Sequence, residues 1–353
     1  MRLRIMVLVL GLAVLFSPMV GAAQDTERLN PMIVLHEQGL PIFGVTHPAI
    51  NARRARGARR GGGARGGRGT ARGRGAGRGT TGNGGATAAE PLPQPVLADV
   101  ARETVGYKFS DFEYNSYSPA SSERFMGYMA AMLAAGGTMK DHAFISKIPI
   151  VHNDPDRATA RIVNQLNAGH AGIMMQEVES ADEVRQAIAA MRFRSRGGTR
   201  PEEGIGLAAA YWGLTGKEYL DRADVWPINP KGELVLWAIV ESREGIANVR
   251  EIAAVPGLTS LIVGAGTLGG VFSSTNADGE RVRDQEGFDA AVEKVIAACK
   301  EFKVACSYPA NNPDQIESLM DRGFEVFTMQ RRGPEAFDAV QVGRRRSGRP
   351  LTQ

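Results

Sequence analysis

Short apolar runs alternate with longer amphipathic segments along most of the chain. The apolar runs are rich in β-branched and aromatic residues, and most amphipathic segments begin with a helix-capping residue type and end with glycine. The predicted strands are residues 41–48, 107–114, 142–151, 171–178, 234–242, 258–266, 304–310 and 324–330. Because helical segments separate them, the pattern predicts an α/β fold, a parallel (β/α)₈ TIM barrel rather than an open sheet.

The pattern is interrupted at residues 51–90, where arginine and glycine dominate and apolar side chains are almost absent. Such a segment cannot bury enough surface to order itself, so we predict a disordered insertion after the first strand. In this register it belongs to a βα loop and overhangs the mouth of the barrel. A flexible loop is the favoured interpretation, and contact with nucleic acid or another polyanion is the alternative.

The arginines of the insertion dominate the charge of the chain. The formal net charge is +4, but the ten arginines between residues 51 and 89 are accompanied by no acid. Without these ten and the two arginines near the N-terminus, the formal net charge becomes −8. The basic isoelectric point therefore indicates nothing about a nucleic-acid-binding function of the barrel itself.

The first 23 residues are typical of a secretory signal peptide: Arg2 and Arg4 precede an apolar run from Ile5 to Phe16, and small residues follow. The apolar run is shorter than the roughly 18 to 20 residues that span a bilayer, so we expect an exported, periplasmic or secreted protein without a membrane anchor after cleavage. Residues 24–50 then begin the barrel, residues 91–340 complete it, and residues 341–353 form a basic C-terminal tail.

The two cysteines, Cys299 and Cys306, are too few for a disulfide scaffold. We expect two buried free thiols, the commoner state of barrel cysteines, although an exported chain could oxidise them.

Polar side chains at strand ends are the candidates for chemistry, because barrel enzymes keep their active sites at the carboxyl ends of the strands. Glu241 ends the otherwise apolar run VLWAIVES, where a carboxylate is costly unless it meets a cation or a donor. A salt bridge or a helix-capping role is the alternative. His47 ends the first strand, and Glu177 and Glu179 straddle the end of the fourth. The alternative for His47 is a structural loop histidine, and the alternative for the two glutamates is capping of the next helix.

Several motifs occur in one order along the chain: LNPMIVLHEQGLPIFGV, SDFEY, NDPDRATARIVNQLNAGHAGIMMQEVESADEVRQAI, GIGLAAAYWG and AIVESREGIANVREIAAVPGLTSLIVGAGTLGG. This series resembles the HpcH/HpaI aldolase and citrate lyase β-subunit family over roughly residues 29–332, apart from the insertion. The resemblance implies a metal-dependent carbon–carbon lyase that cleaves 4-hydroxy-2-oxo acids to pyruvate and an aldehyde, or acts on related substrates.

The resemblance also implies roles for single residues, with several departures from the family pattern. Glu241 takes the place of the first metal carboxylate, and Thr267 that of the second, an aspartate in a G-P-A-D-L turn. Tyr114 takes the place of the catalytic histidine of a D-x-E-H run, and Asn167 that of the aspartate that orients it. Lys147 lies nearest to the arginine that steadies the 2-oxo acid group, with two residues of difference in spacing to the N-D-P segment.

These departures leave the acid–base and metal-binding groups incomplete, and neighbouring residues offer replacements. In this family the cation, Mg²⁺ or Mn²⁺, would polarise the pyruvyl carbonyl while a base removes a hydroxyl proton. His47 is a candidate base, because histidine titrates near neutral pH. Glu177 is a candidate second carboxylate ligand, and Tyr114 a candidate acid or hydrogen-bond donor.

The expected function is therefore an aldolase-type lyase acting on a small 2-oxo acid, in a homo-oligomer as the resemblance suggests. Two alternatives remain open at this point. The barrel could bind a carboxylate ligand without turning it over, or it could catalyse a different reaction on the same metal-enolate scaffold, because fold alone does not fix function.

Overall fold

In a computed structural model of the chain, the predicted strands form a closed parallel barrel. The structure describes residues 27–46, 94–115, 119–310, 312–329 and 334–351. The barrel strands are β1 (Ile42–Thr46), β2 (Phe112–Asn115), β3 (Phe144–Lys147), β4 (Gly172–Met175), β5 (Val235–Val240), β6 (Leu258–Val263), β9 (Ala305–Pro309) and β10 (Val326–Met329). Each lies within or overlaps one predicted strand, which confirms the (β/α)₈ architecture.

The helices are α1 (Pro31–Glu37), α2 (Gln94–Val105), α3 (Pro119–Ala134), α4 (Pro155–Asn167), α5 (Ala181–Met191), α6 (Gly206–Tyr211), α7 (Gly216–Arg222), α8 (Arg243–Ala247), α9 (Val249–Ala253), α10 (Ala265–Val271), α11 (Gln285–Phe302), α12 (Ile316–Asp321) and α13 (Pro334–Arg346). Their starts follow the expected capping chemistry: the Ser180 hydroxyl accepts from the Glu183 amide and the Glu183 carboxylate accepts from the Ser180 amide, so α5 begins with a capping box. In the described residues, no helix has the length and apolarity needed to cross a membrane.

The strands follow the order β1-β10-β9-β6-β5-β4-β3-β2 around the barrel, and β2 pairs with β1 to close it. The interior is packed, because the rings of Phe112 and Trp237 meet edge to face with their centroids 4.9 Å apart. Gly44 makes room for this contact, since a Cβ at that position would lie 2.0 Å from Phe112 Cζ. An antiparallel hairpin that the sequence pattern did not predict, β7 (Ser273–Thr275) with β8 (Arg281–Arg283), follows α10.

The basic C-terminal residues are not a separate tail. Arg344 belongs to α13 and Arg349 follows it, and both guanidinium groups pair with the buried carboxylate of Asp111. The Asp111 carboxylate also accepts from the Phe43 amide at 2.8 Å, which ties the C-terminal segment to the β1–β2 seam. The predicted boundary at residue 341 therefore moves, because burial of these ion pairs makes the segment part of the barrel.

Cys299 and Cys306 form a disulfide that joins α11 to β9. The expectation of two free thiols was wrong, because the end of α11 and the following strand bring the two side chains together. Within the described residues no free cysteine remains. The predicted signal peptide (1–23) and the arginine/glycine-rich insertion (51–90) both lie outside the described residues.

Candidate active site

The candidate site lies where β2, β3 and β5 end. Strand pairing sets Tyr114 beside Ile145, and both Lys147 and Trp237 beside Met174. Side chains alternate between the two faces of a strand, so Tyr114 and Lys147 share the interior face with Trp237. Glu241 has the same parity as Trp237 and directly follows β5. The barrel therefore brings Tyr114, Lys147 and Glu241 to its carboxyl end. For Tyr114 and Glu241 this is the strand-end position that the sequence pattern predicts, whereas the strand predicted over residues 142–151 ends earlier, at Lys147.

Tyr114 is buried, and its hydroxyl donates a hydrogen bond to the Met329 carbonyl at 3.0 Å. Burial raises the pKa of the Tyr114 phenol well above its ordinary value, although a hydrogen bond with Thr328 opposes the shift. The phenol is therefore protonated at neutral pH. Because its one hydroxyl proton is donated to the Met329 carbonyl, Tyr114 can form a wall of the site, but it cannot act as the base that the resemblance expects at this position.

Lys147 is the last residue of β3, and its backbone amide donates to Asn115 Oδ1 at 3.2 Å. The Lys147 Nζ lies 5.9 Å from the centroid of the Tyr114 ring. Among the described residues, no carboxylate forms an ion pair with this ammonium group. Burial lowers the pKa of Lys147, and the negative charge of Glu241 opposes that effect. The site thus contains an amine that is poorly solvated and not neutralised by direct contact.

Glu241 is half-buried and leads into α8. The helix cap is made by Ser242, whose hydroxyl accepts from the Gly245 amide at 3.0 Å, so the alternative capping role for Glu241 is not needed. Gly264, directly after β6, shapes the space around the carboxylate. A Cβ on Gly264 would lie 2.4 Å from Glu241 Cβ and 2.7 Å from its Oε2. Sequence reasoning missed this residue, although a glycine directly after an apolar strand is a signal of close approach.

Glu177 follows β4 and has a φ of 46°, the left-handed conformation that side chains other than glycine rarely adopt. Burial raises the pKa of Glu177, and the Glu241 and Glu179 carboxylates raise it further. Glu179 instead lies beside His152, with Glu179 Oε2 3.9 Å from His152 Nε2. Of the two glutamates at the end of β4, Glu177 is therefore the one electrostatically coupled to Glu241.

The donor set does not fit the divalent cation that the resemblance implies. Thr267, which the resemblance predicts in place of the second carboxylate, carries an exposed hydroxyl in the first turn of α10. Within the described ranges, no group of three or more His, Cys, Asp or Glu side chains is placed to hold a metal ion. The lysine ammonium at Lys147 also contributes positive charge near Glu241. Magnesium and manganese sites gain affinity from several oxygen ligands, so these residues make a poor site for either ion.

Two further candidates do not join this group. Asn167 ends α4 and precedes β4, so in the single chain it lies at the opposite end of the barrel from Tyr114. Its side-chain oxygen accepts from Arg200 Nε at 3.0 Å and from Nη2 at 2.7 Å, which makes it a partner of a buried arginine. His47 lies outside the described residues.

Comparison with known proteins agrees with this architecture. Residues 143–333 match the sequence model of the HpcH/HpaI aldolase/citrate lyase family. A solved structure of an HpcH/HpaI aldolase/citrate lyase family protein from Burkholderia cenocepacia aligns with a TM-score of 0.57 at 18% identity, over 85% of this chain and 92% of that one. An HpcH/HpaI aldolase from Desulfitobacterium hafniense aligns with a TM-score of 0.54 at 14% identity, over 85% of this chain and 89% of that one.

Characterised relatives are similar over part of their length. The hydroxypyruvate/pyruvate aldolase of Paraburkholderia phytofirmans is 27% identical over 170 residues, which are 46% of this chain and 59% of the relative. The 2-dehydro-3,6-dideoxy-6-sulfogluconate aldolase of Pseudomonas putida is 25% identical over 177 residues, which are 50% of this chain and 62% of the relative. The chain thus spans about three-fifths of these relatives. It belongs to the HpcH/HpaI aldolase/citrate lyase family.

Proposed function

We propose that this chain is an aldolase-type lyase that breaks or forms a carbon–carbon bond next to the 2-oxo group of a small 2-oxo acid, with a 4-hydroxy-2-oxo acid as the cleavage substrate. The observation that carries the proposal is that the Glu241 carboxylate, at the carboxyl end of the barrel, interacts electrostatically both with a poorly solvated amine, Lys147, and with the Glu177 carboxylate. Family membership and the aldolase names of the relatives support it.

Each residue has a task in this reaction. Lys147 binds the 2-oxo acid group, the task that the family's arginine performs in the corresponding place. Glu177 accepts the proton of the substrate's C4 hydroxyl, because its raised pKa brings it closer to that of an effective base at neutral pH. Tyr114 covers one side of the lysine with its ring and excludes water. Glu241 balances the positive charge of Lys147 from across the site.

The test is release of pyruvate from a panel of 4-hydroxy-2-oxo acids by the purified mature chain, followed with a coupled dehydrogenase. We expect wild-type turnover, and a loss on the order of a hundredfold or more in Glu177→Gln, which removes the base but keeps the shape of the side chain. Lys217→Gln is the surface control, because Lys217 is exposed and forms a surface ion pair with Asp221. Saturable binding of pyruvate without turnover would instead favour the carboxylate-binding barrel.

We further propose that the protein is exported and that its mature chain begins near Ala23 or Gln24. The disulfide between Cys299 and Cys306 supports an oxidising compartment. N-terminal sequencing of the protein from its native host tests this proposal, and an intact Met1 on a cytosolic protein would refute it. A homo-oligomer and contact of the insertion with a polyanion stay predictions.

A further inference from the structure

The lysine at the barrel mouth differs from the surface lysines of this chain. Lys108 and Lys140 are exposed and form ion pairs with Asp141 and Glu27. Lys147 ends an interior strand, lies over an aromatic ring, and forms no ion pair with a described carboxylate. A lysine amine becomes a useful nucleophile when it is withdrawn from water, and carbonyl compounds are its natural partners.

The same site holds one carboxylate and a hydroxyl where the family resemblance implies two metal carboxylates. An aldol cleavage still needs an electron sink at the 2-oxo carbon, because the electron pair of the breaking C3–C4 bond moves toward that carbon. We propose that the Lys147 amine forms a covalent imine with the 2-oxo carbonyl of the substrate, and that this imine takes the place of the cation as the electron sink. The proposal rests on the function proposed above.

The chemistry balances with water and protons alone. The neutral amine adds to the C2 carbonyl, and loss of water leaves a carbon–nitrogen double bond that is protonated to an iminium ion. The Glu177 carboxylate removes the C4 hydroxyl proton, the C3–C4 bond breaks, the aldehyde leaves, and the electron pair moves into an enamine. Protonation of C3 and hydrolysis of the imine then release pyruvate and restore the amine.

The surroundings of Lys147 suit an iminium ion. The positive charge of the imine would lie over the Tyr114 ring face, within the roughly 6 Å at which cations and aromatic rings attract each other. Glu241 supplies negative charge without forming an ion pair with the Nζ, so the amine is free to add to a carbonyl. The Tyr114 hydroxyl is bonded to the Met329 carbonyl and does not compete for the nitrogen.

The experiment is reductive trapping with pyruvate as the probe. The mature chain is incubated with pyruvate and sodium cyanoborohydride in the presence of EDTA, and intact mass and peptide mapping locate the adduct. We expect one reduced pyruvate per chain, on Lys147, with labelling on the order of tenfold or more above any surface lysine. Lys147→Arg keeps the positive charge and should abolish the adduct, whereas Lys140→Arg should leave it unchanged.

The outcomes separate this inference from the proposed function. No adduct on Lys147, or equal labelling of all lysines, overturns the imine. Lyase activity that survives in Lys147→Arg, or that EDTA abolishes and Mn²⁺ restores, also overturns it while leaving the lyase function intact. An adduct on Lys147 in a protein that cleaves no 4-hydroxy-2-oxo acid supports the imine and rejects the lyase. Circular dichroism of Lys147→Arg and Lys147→Met verifies that the variants fold.

Discussion

Burial acts in opposite directions on the acids and bases of this chain. It raises the pKa of Tyr114 and of Glu177, and it lowers the pKa of Lys147 and of His170, because in each case the charged form is disfavoured. At the candidate site these shifts leave a phenol that stays protonated and an amine that loses its proton more readily. Outside the site, the same effect on His170 influences stability.

His170 is fully buried beside Phe125, and burial lowers its pKa to about 4 from 6.5. The unfolded chain therefore binds a proton more readily than the folded chain between these two values. The free energy of unfolding should therefore be highest above about pH 6.5. It should decrease by about 3 kcal/mol as the pH falls toward 4. Urea unfolding measured from pH 7 to pH 4 should show this slope.

His170→Phe should flatten that slope, because the phenyl ring cannot accept a proton and the Gln165 carbonyl keeps its hydrogen bonds from the Ala168 and residue 170 amides. His36→Gln is the control, since His36 lies half-buried on α1 and its loss should leave the slope in place. If His170→Phe and wild type lose stability equally, another group is responsible for the acid sensitivity.

At the scale of elements, the turn from β6 into α10 shapes the site through a missing side chain. Gly264→Ala would place a Cβ 2.4 Å from Glu241 Cβ, so the carboxylate must move. We expect lyase activity to fall about tenfold or more and unfolding free energy to fall by about 1–3 kcal/mol. Gly266→Ala, two residues on, meets nothing within 4 Å and should preserve both. Equal effects of the two substitutions in activity and denaturation assays would contradict this role of Gly264.

The first turn of α10 also tests the missing metal ligand. The family resemblance predicts that Thr267 takes the place of the second carboxylate, and an aspartate there would be compatible with a helix start. Thr267→Asp should raise Mn²⁺ affinity by about tenfold or more over wild type, because a second carboxylate joins Glu241. Isothermal titration calorimetry measures it, with Thr267→Asn as the uncharged control.

Adding Glu241→Gln to Thr267→Asp should remove the gained affinity. Equal, negligible Mn²⁺ binding by wild type and by Thr267→Asp would mean that the two positions do not face a common point.

At the scale of the whole molecule, a buried charge cluster holds the C-terminal segment against the amino end of β2. The Asp111 side chain is 5% exposed, and each of its arginine partners, Arg344 and Arg349, is 9% exposed. The free energy of unfolding is sensitive to substitutions in such a cluster, because removal of one charge leaves the others buried and uncompensated. The cluster joins the last described residues of the chain to its first two barrel strands.

Asp111→Ala should lower the free energy of unfolding by about 3–5 kcal/mol, because it strands two buried guanidinium groups. Asp141→Ala removes a surface pair with Lys108 and should cost less than about 1 kcal/mol. Denaturant unfolding of both variants measures the difference. A loss in Asp111→Ala no larger than that in Asp141→Ala would show that the arginines find other partners.

The sequence by itself determined the barrel and the strand ends that carry Tyr114 and Glu241, whereas the end of β3 at Lys147 came from the structure. Hydrophobic periodicity depends on residues that are close in the sequence, so the strands can be predicted without the structure. In a parallel barrel, the carboxyl ends of all strands lie at the same end of the barrel. Family resemblance then gave the expected residue correspondences, including Thr267 in place of a second carboxylate, and these stay predictions.

Only the tertiary structure decided which of these residues meet. Asn167 lies at the other end of the barrel and holds Arg200, a partner 33 residues away that no local pattern connects to it. The disulfide and the Asp111 cluster likewise depend on how helices pack around the strands. Burial lowers the pKa of Lys147 and the negative charge of Glu241 opposes that shift, and both effects depend on distances through space that the order of residues along a chain does not fix.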